Sequence, residues 1–127
     1  MKDWDHEGLG PRRGPRGSHG AAAVPLFALL WAWGRDGLAS RLDSCMAASE
    51  KFAAFVDGDP RLELLCRPET GVVVWRHIEK SVEDFIAALP AGLASQTTVA
   101  GSKWLRCVAA NPMVDIDAVV RAVKSVT

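Results

Sequence analysis

The chain has 127 residues, of which 49% are hydrophobic, and its formal net charge is zero. This length limits it to one domain, and the apolar fraction is sufficient for a buried core. The neutral balance gives no support for a nucleic-acid partner or an anionic membrane surface.

The three cysteines are an odd number and lack the spacing of metal ligands. Free cysteine is among the most frequently buried residue types, and disulfides are rare in the reducing cytoplasm. We therefore expect a cytoplasmic protein with reduced, mostly buried thiols and no metal site, the cysteines being Cys45, Cys66 and Cys107.

Residues 1–20 predict a tail without fixed structure, because five of the eleven glycines lie there among mixed charges. Residues 21–33 contain no charged side chain. This run is too short to span a bilayer, which requires about 20 apolar residues. It is compatible with the apolar part of a signal peptide or with a buried helix that has Pro25 in its first turn. No small-x-small cleavage pattern ends the run, which favours the helix.

Gly34 and Gly37 interrupt the helical pattern, and a second helix follows. Its apolar positions recur in steps of three and four from Leu38 to Val56, which predicts one buried face. The sequence at 57–60, Asp-Gly-Asp-Pro, supplies the turn that ends this helix.

The rest of the chain alternates between short strands and helices. Ser81 is a typical N-cap for one helix and Asp115 for the last helix, whose apolar stripe includes Val119 and Val123. The order α-α-β-β-α-β-β-α predicts an α+β domain over 38–127, with a small antiparallel sheet and helices on one face. The four predicted strands are Leu62–Cys66, Val72–Trp75, Gln96–Val99 and Lys103–Ala109. The second of these has no polar alternation, so we expect both of its faces to be covered.

The last strand carries the candidate site residue. Alternation places Trp104, Arg106 and Val108 on one face of the strand. An arginine is always charged, so Arg106 needs an anionic partner or an open cleft. Two hypotheses remain open at this stage: a structural ion pair with Asp115 or Asp117, and the binding of an anionic ligand.

The order of these segments resembles the C-terminal end of the group II pyridoxal-phosphate-dependent decarboxylases. That family acts on glutamate, aromatic amino acids, diaminobutyrate and related substrates. The shared features near the end are the strand with Arg106, the Asn111-Pro112 turn, an acidic cap and a short helix. Leu26–Leu38, LFALLWAWGRDGL, is similar to the family's helix with a Leu-Trp pair and a Gly-x-x-Gly break. Leu62–Arg76 is similar to its next two strands, so the resemblance covers Pro25 to Val126.

The resemblance implies the C-terminal small domain of a type I pyridoxal-phosphate (PLP) enzyme, a carboxy-lyase of amino acid metabolism. It further implies that residues 21–37 pack as a helix on a PLP-binding large domain absent from this chain. The complete enzyme would be a homodimer. In the glutamate decarboxylase branch, the arginine that matches Arg106 binds a substrate carboxylate.

The resemblance does not extend to a cofactor site. The family's cofactor lysine follows a histidine in the large domain, and this sequence has no His-Lys dipeptide. We therefore expect the chain alone to bind no PLP, to contain no catalytic residue and to be inactive. Its lysines are Lys2, Lys51, Lys80, Lys103 and Lys124.

A different class of function is compatible with the same residues. In that interpretation the chain is a free-standing α+β interaction or small-ligand module without chemistry of its own. His77, at the end of a strand, could donate a proton, but we favour a surface histidine. Trp104 could stack on a ligand, but we favour a core position.

Overall fold

The computed structural model describes residues 23–109, 111 and 113–127. The predicted tail at 1–20 and Pro112 of the predicted Asn-Pro turn lie outside this range. Three helices and four strands occur in the described part of the chain, which is the predicted α+β architecture. They are α1 (Val24–Gly58), β1 (Leu62–Leu64), β2 (Val72–His77), α2 (Val82–Ala88), β3 (Ser95–Val99), β4 (Ser102–Val108) and α3 (Ile116–Val126).

The four strands form one antiparallel sheet in the order β1-β2-β4-β3. The register pairs Val73 with Cys107 and Trp75 with Leu105. Directly paired residues of antiparallel strands point to the same face, so these four side chains share the inner face of the sheet. All four are buried, and they belong to one core cluster with residues from all three helices.

An aromatic cluster forms the centre of this core. The Trp75 ring meets Phe52 of α1 edge-on with 5.7 Å between the ring centroids, and it meets Phe85 of α2 edge-on at 5.4 Å. Edge-to-face contacts of this kind contribute about 0.5–1.5 kcal/mol beyond the burial of area. Val119 and Val123 complete the core from α3. Because all three helices contribute buried residues to this cluster, the helices pack on one face of the sheet, as predicted.

Both predicted N-caps are present. The Ser81 hydroxyl accepts a hydrogen bond from the Asp84 N–H at 3.1 Å, and the Asp115 carboxylate accepts one from the Ala118 N–H at 3.0 Å. Each bond satisfies one of the free N–H groups in the first turn of a helix. These caps fix the starts of α2 and α3.

The two predicted N-terminal helices are parts of α1, divided by a kink at Gly34. Gly34 has φ +64° and ψ −178°, a conformation that is accessible almost only to glycine. Gly37 has a different role, since a Cβ there would lie 3.0 Å from the Cβ of Trp33. The Arg41 guanidinium stacks on the Trp33 ring at 3.7 Å and donates to the Gly37 carbonyl at 3.2 Å, so it joins the two sides of the kink.

The first part of α1, Val24–Ser44, contains no buried residue, and we call it the arm. The predicted apolar face of the second helix is buried from Cys45 to Val56, but Leu42 remains exposed. The arm is therefore longer than the predicted 21–37 segment. Its large exposed apolar side chains are Val24, Leu26, Phe27, Leu29, Leu30, Trp31, Trp33 and Leu42. Contiguous exposed apolar surfaces often mark interaction sites in folded proteins.

Strand β2 corrects one expectation. We predicted that both of its faces are covered, but Val73, Trp75 and His77 are buried while Val72, Val74 and Arg76 are only half-buried. The inner face packs on the helices, whereas no helix of the described chain covers the other face. The run of apolar residues in β2 therefore does not mean that this chain covers both faces of the strand.

A matched pair of phenylalanine substitutions tests whether the arm belongs to the core. Phe52→Ala removes a fully buried ring and should lower the free energy of unfolding by about 3–5 kcal/mol. Phe27→Ala removes a ring that is 63% exposed, and the free energy should change by less than about 0.5 kcal/mol. Urea unfolding followed by circular dichroism measures both. Comparable losses would place the arm in the core of the monomer.

Candidate functional site on the outer face of the sheet

The outer face is the side of the sheet opposite the helices. In the register, Val74 of β2 pairs with Arg106 of β4, and Arg106 pairs on its other side with Ser95 of β3. Three valines, two arginines and a tryptophan form the centre of this face: Val72, Val74, Val108, Arg76, Arg106 and Trp104. The two arginines are held in different ways.

Arg76 is bound within the sheet. Its Nε donates to the Glu63 carboxylate on β1 at 2.6 Å, and Glu63 and Arg76 are register partners. The guanidinium also lies over the Trp104 ring, 4.3 Å from its centroid. Trp104 is only 6% exposed, so it is buried as expected, although it lies on the outer face. Arg76 therefore covers the indole and has its charge balanced by Glu63.

Arg106 is exposed and more loosely held. Its Nε donates to the Ser95 hydroxyl at 3.3 Å, and no carboxylate among the described residues pairs with it. The ion pair proposed from the sequence is wrong, because Asp115 pairs with Arg121 at 3.5 Å and Asp117 pairs with Lys51 at 2.8 Å. A guanidinium with a neutral partner at Nε retains its terminal N–H groups for an anion, and a carboxylate fits them through two parallel hydrogen bonds.

His77 corrects a second expectation, because it is buried and not a surface residue. It is 5% exposed, and its ring lies 5.6 Å from that of Phe85 on the inner side of the sheet. The sheet therefore separates His77 from Arg106. Burial, followed by the charge of Lys80, lowers the pKa of His77 below its ordinary value.

Neither the thiols nor the groove beside α1 adds a reactive group to the outer face. All three cysteines are free; Cys45 and Cys107 are buried, Cys66 is exposed, and burial raises the pKa of Cys107. In the described part of the chain, no cluster of His, Cys, Asp and Glu could hold a metal ion. A groove of about 980 Å³ runs between α1 and the segment after β1, and it contains none of the outer-face residues. No described helix is long and apolar enough to cross a membrane.

Comparison with solved structures identifies the fold. Tryptophan decarboxylase from Catharanthus roseus, solved with L-tryptophan, matches 83% of this chain with a TM-score of 0.71 and 20% identity. The glutamate decarboxylase domain of a Vibrio parahaemolyticus diaminobutyrate-pyruvate transaminase and L-2,4-diaminobutyrate decarboxylase matches 82% at 0.64 and 20% identity. TDC from Oryza sativa, solved with PLP and tryptamine, matches 82% at 0.65 and 20% identity.

In each of these structures, the match occupies 25% of the neighbour's chain. This chain therefore has the fold of the C-terminal portion of a PLP-dependent decarboxylase and spans about one quarter of such a protein. No family model matches the sequence, and no curated protein matches it.

The lysines of the described chain do not suit a covalent cofactor site. Such a lysine must lose its proton readily, which requires desolvation or a neighbouring cation. All four described lysines are exposed. Lys51 and Lys103 pair with Asp117 and Glu83, Lys80 donates to carbonyl groups at the end of α3, and Lys124 lies over the Phe55 ring. None of these four lysines therefore has the desolvated surroundings that a cofactor lysine requires.

Sequence analysis predicted the face of β4 on which Arg106 lies but missed the arrangement of Glu63, Arg76 and Trp104. The alternation within β4 is a local signal, and it was sufficient to place Arg106 on the face opposite Leu105. The Arg76 contacts depend on the pairing of β1 with β2 and of β2 with β4. The one available signal was Glu63, whose opposite charge makes it a natural cross-strand partner for an arginine.

Alanine substitution of each arginine separates the structural one from the free one. Arg76→Ala removes the Glu63 pair and uncovers Trp104, and we expect it to lower the free energy of unfolding by about 1–2 kcal/mol. Arg106→Ala removes one bond between exposed side chains, and we expect a change below about 0.5 kcal/mol. Urea unfolding of both variants provides the comparison. An equal loss for Arg106→Ala would show that its charge is part of the fold.

Proposed function

We propose that this chain is the C-terminal small domain of a PLP-dependent amino acid decarboxylase, a carbon–carbon lyase of the cytoplasm. The arm and the outer face of the sheet are the surfaces that its PLP-binding large domain covers. Arg106 binds a carboxylate of the substrate. The complete enzyme is a homodimer.

The observation that carries this proposal is the fold match. The matches cover 82–83% of this chain and 25% of each decarboxylase structure. A four-stranded antiparallel sheet with helices on one face occurs in many proteins, so the fold alone does not assign activity. The ordered sequence features from Leu26 to the Arg106 strand support the decarboxylase interpretation.

The uncovered apolar surfaces supply independent support. The arm exposes residues on all sides, including Trp31 at 81%, and the outer face exposes Val108 at 46%. A second helix could cover only one side of the arm, whereas a groove on a larger domain covers several. The length of the chain relative to its structural neighbours agrees with such a domain.

Arg106 is the side chain on the outer face that is suited to bind substrate. Arg76 already has a carboxylate partner in Glu63, and Arg106 has none among the described residues. A guanidinium fork fixes a carboxylate in orientation as well as position, which is what a substrate needs before bond cleavage. Ser95 supports the fork from the Nε side. Substrates with a second carboxylate are the class that such a site favours.

PLP supplies the electron sink in decarboxylases of this type, and the described residues of this chain do not fit its covalent attachment. The proposal therefore assigns cofactor binding to the large domain and limits this chain to positioning the substrate and covering the site. The coding sequence upstream of the codons for these residues tests the assignment. It should encode a PLP-binding domain with a His-Lys pair. Coexpression should yield a complex whose bound PLP absorbs at the boundary between ultraviolet and visible light. A chain that remains a stable monomer in the presence of such a domain would favour the interaction-module alternative.

Borohydride reduction tests the division of roles in the isolated chain. Incubation with PLP, reduction and intact-mass measurement should give no specific adduct on one lysine, because the described lysines are exposed and lack the desolvated surroundings of a cofactor lysine. Low, distributed labelling that scales with PLP concentration is the expected background. A stoichiometric adduct at a single lysine would contradict the proposal.

Substitution of Arg106 by lysine in the reconstituted enzyme tests the substrate role. Lysine keeps the charge but loses the fork, so kcat/KM should fall roughly 10- to 100-fold, with the melting temperature nearly unchanged. Ser95→Ala should have a smaller effect in the same direction. Normal kinetics for Arg106→Lys would remove this residue from the site while leaving the docking proposal intact.

A further inference from the structure

His77 occupies an unusual position at the end of β2. Its Nδ1 accepts hydrogen bonds from two consecutive backbone N–H groups, those of Glu79 and Lys80, each at 3.0 Å. The imidazole thus holds the turn between β2 and the Ser81 cap of α2 from the inside. It is 5% exposed and lies against the Phe85 ring.

These two bonds define the protonation state that the structure requires. Nδ1 can accept from N–H groups only when it carries no proton, so the proton of the neutral ring is on Nε2. Nε2 is buried and has no hydrogen-bond partner among the described residues. A second proton on Nδ1 would turn the acceptor into a donor and oppose two backbone N–H groups at once.

The turn that His77 holds is linked to the end of the chain. The Lys80 ammonium donates to the carbonyl oxygen of Val126 and lies 3.4 Å from that of Thr127, at the C-terminus of α3. A lysine at this position also interacts favourably with the negative end of the helix dipole. The position of the Lys80 backbone, which His77 fixes, therefore determines whether α3 keeps this contact.

The charges around the ring favour the neutral state on balance. Burial is the largest cause that lowers the pKa of His77, and Lys80 of the turn and Arg61, just before β1, act in the same direction. Glu79 of the turn and Asp59 after α1 act in the opposite direction. Asp59 is itself paired with Arg61 at 2.9 Å, which reduces its net field at the ring. Phe85 of α2 contributes an uncharged surface.

We propose that His77 is a proton-operated latch that holds the β2–α2 turn and, through Lys80, the end of α3 when neutral, and releases both when protonated. The stabilisation is fully present above the pKa of unfolded histidine, about 6.5, and it is lost as the pH falls from there through the lower value of the folded state. The latch is a property of this chain and does not depend on the proposed decarboxylase function.

Nuclear magnetic resonance of the full chain tests the latch without any substitution. Long-range proton–nitrogen spectra should show the Nε2-protonated tautomer of His77 at pH 7.5 and a titration midpoint below 6.5. The backbone amides of Glu79, Lys80, Val126 and Thr127 should change position with the same midpoint. A midpoint at or above 6.5, or C-terminal amides that do not follow His77, would overturn the proposal.

Two variants distinguish the role of the His77 Nδ1 as a hydrogen-bond acceptor from the packing of its ring. His77→Asn places an amide oxygen near the Nδ1 position and does not titrate, so the Val126 and Thr127 amides should stay at their closed positions down to pH 5. His77→Phe keeps the ring but has no acceptor, so these amides should stay at their open positions at every pH. Between pH 7.5 and 5.5 the melting temperature of the wild type should fall by roughly 3–6 °C more than that of His77→Asn. His6 and His19 are present in all three proteins, so an equal fall in the wild type and His77→Asn would refute the latch.

Discussion

The fold depends on the contacts of Trp75. Its ring lies between Phe52 of α1 and Phe85 of α2, and its register partner Leu105 joins it to the central strand β4. Because these residues come from distant parts of the sequence, the cluster forms only when both helices are on the same face of the sheet. Burial of one face in this way leaves the other face to polar contacts or to another protein.

The contrast between the two faces explains how the sheet accommodates its two arginines, Arg76 and Arg106. A buried and unpaired guanidinium would cost several kcal/mol, so both arginines lie on the outer face, where water or a ligand can reach them. Arg76 contributes to the fold by covering Trp104, with Glu63 as its counter-charge. Arg106 has only the Ser95 hydroxyl among described partners. The outer face therefore combines an apolar surface with one cation that is available to an anion.

Local signals predicted much of this structure. The caps at Ser81 and Asp115, the stripe of α3 and the alternation of β4 each depend on residues within a few positions, and each is confirmed. The misjudged features depend on long-range pairing. The burial of His77 follows from its register with Leu62 and from the packing of Phe85, and the pairing of Asp117 with Lys51 follows from the placement of α3 beside α1.

The arm illustrates the same limit in another way. Its composition predicted a buried helix, since apolar side chains on all sides of a helix are typical of a protein interior. The helix forms, and Gly34 introduces the kink that the glycine pattern indicated. Burial, however, requires a surface to pack on, and sequence cannot say whether that surface is in the same chain. The exposure of the arm, more than any single residue, is therefore the observation that supports the proposed docking on a large domain.

Hydrogen–deuterium exchange of the isolated chain at low micromolar concentration tests this central claim most directly. An isolated helix of this length is marginally stable in water, so amides of the arm should exchange nearly as fast as those of an unfolded peptide. Amides of β2, β4 and the Cys45–Val56 part of α1 should exchange only through global unfolding. Protection of the arm equal to that of β4 would contradict the account, because it would mean that the arm is held by contacts within this chain.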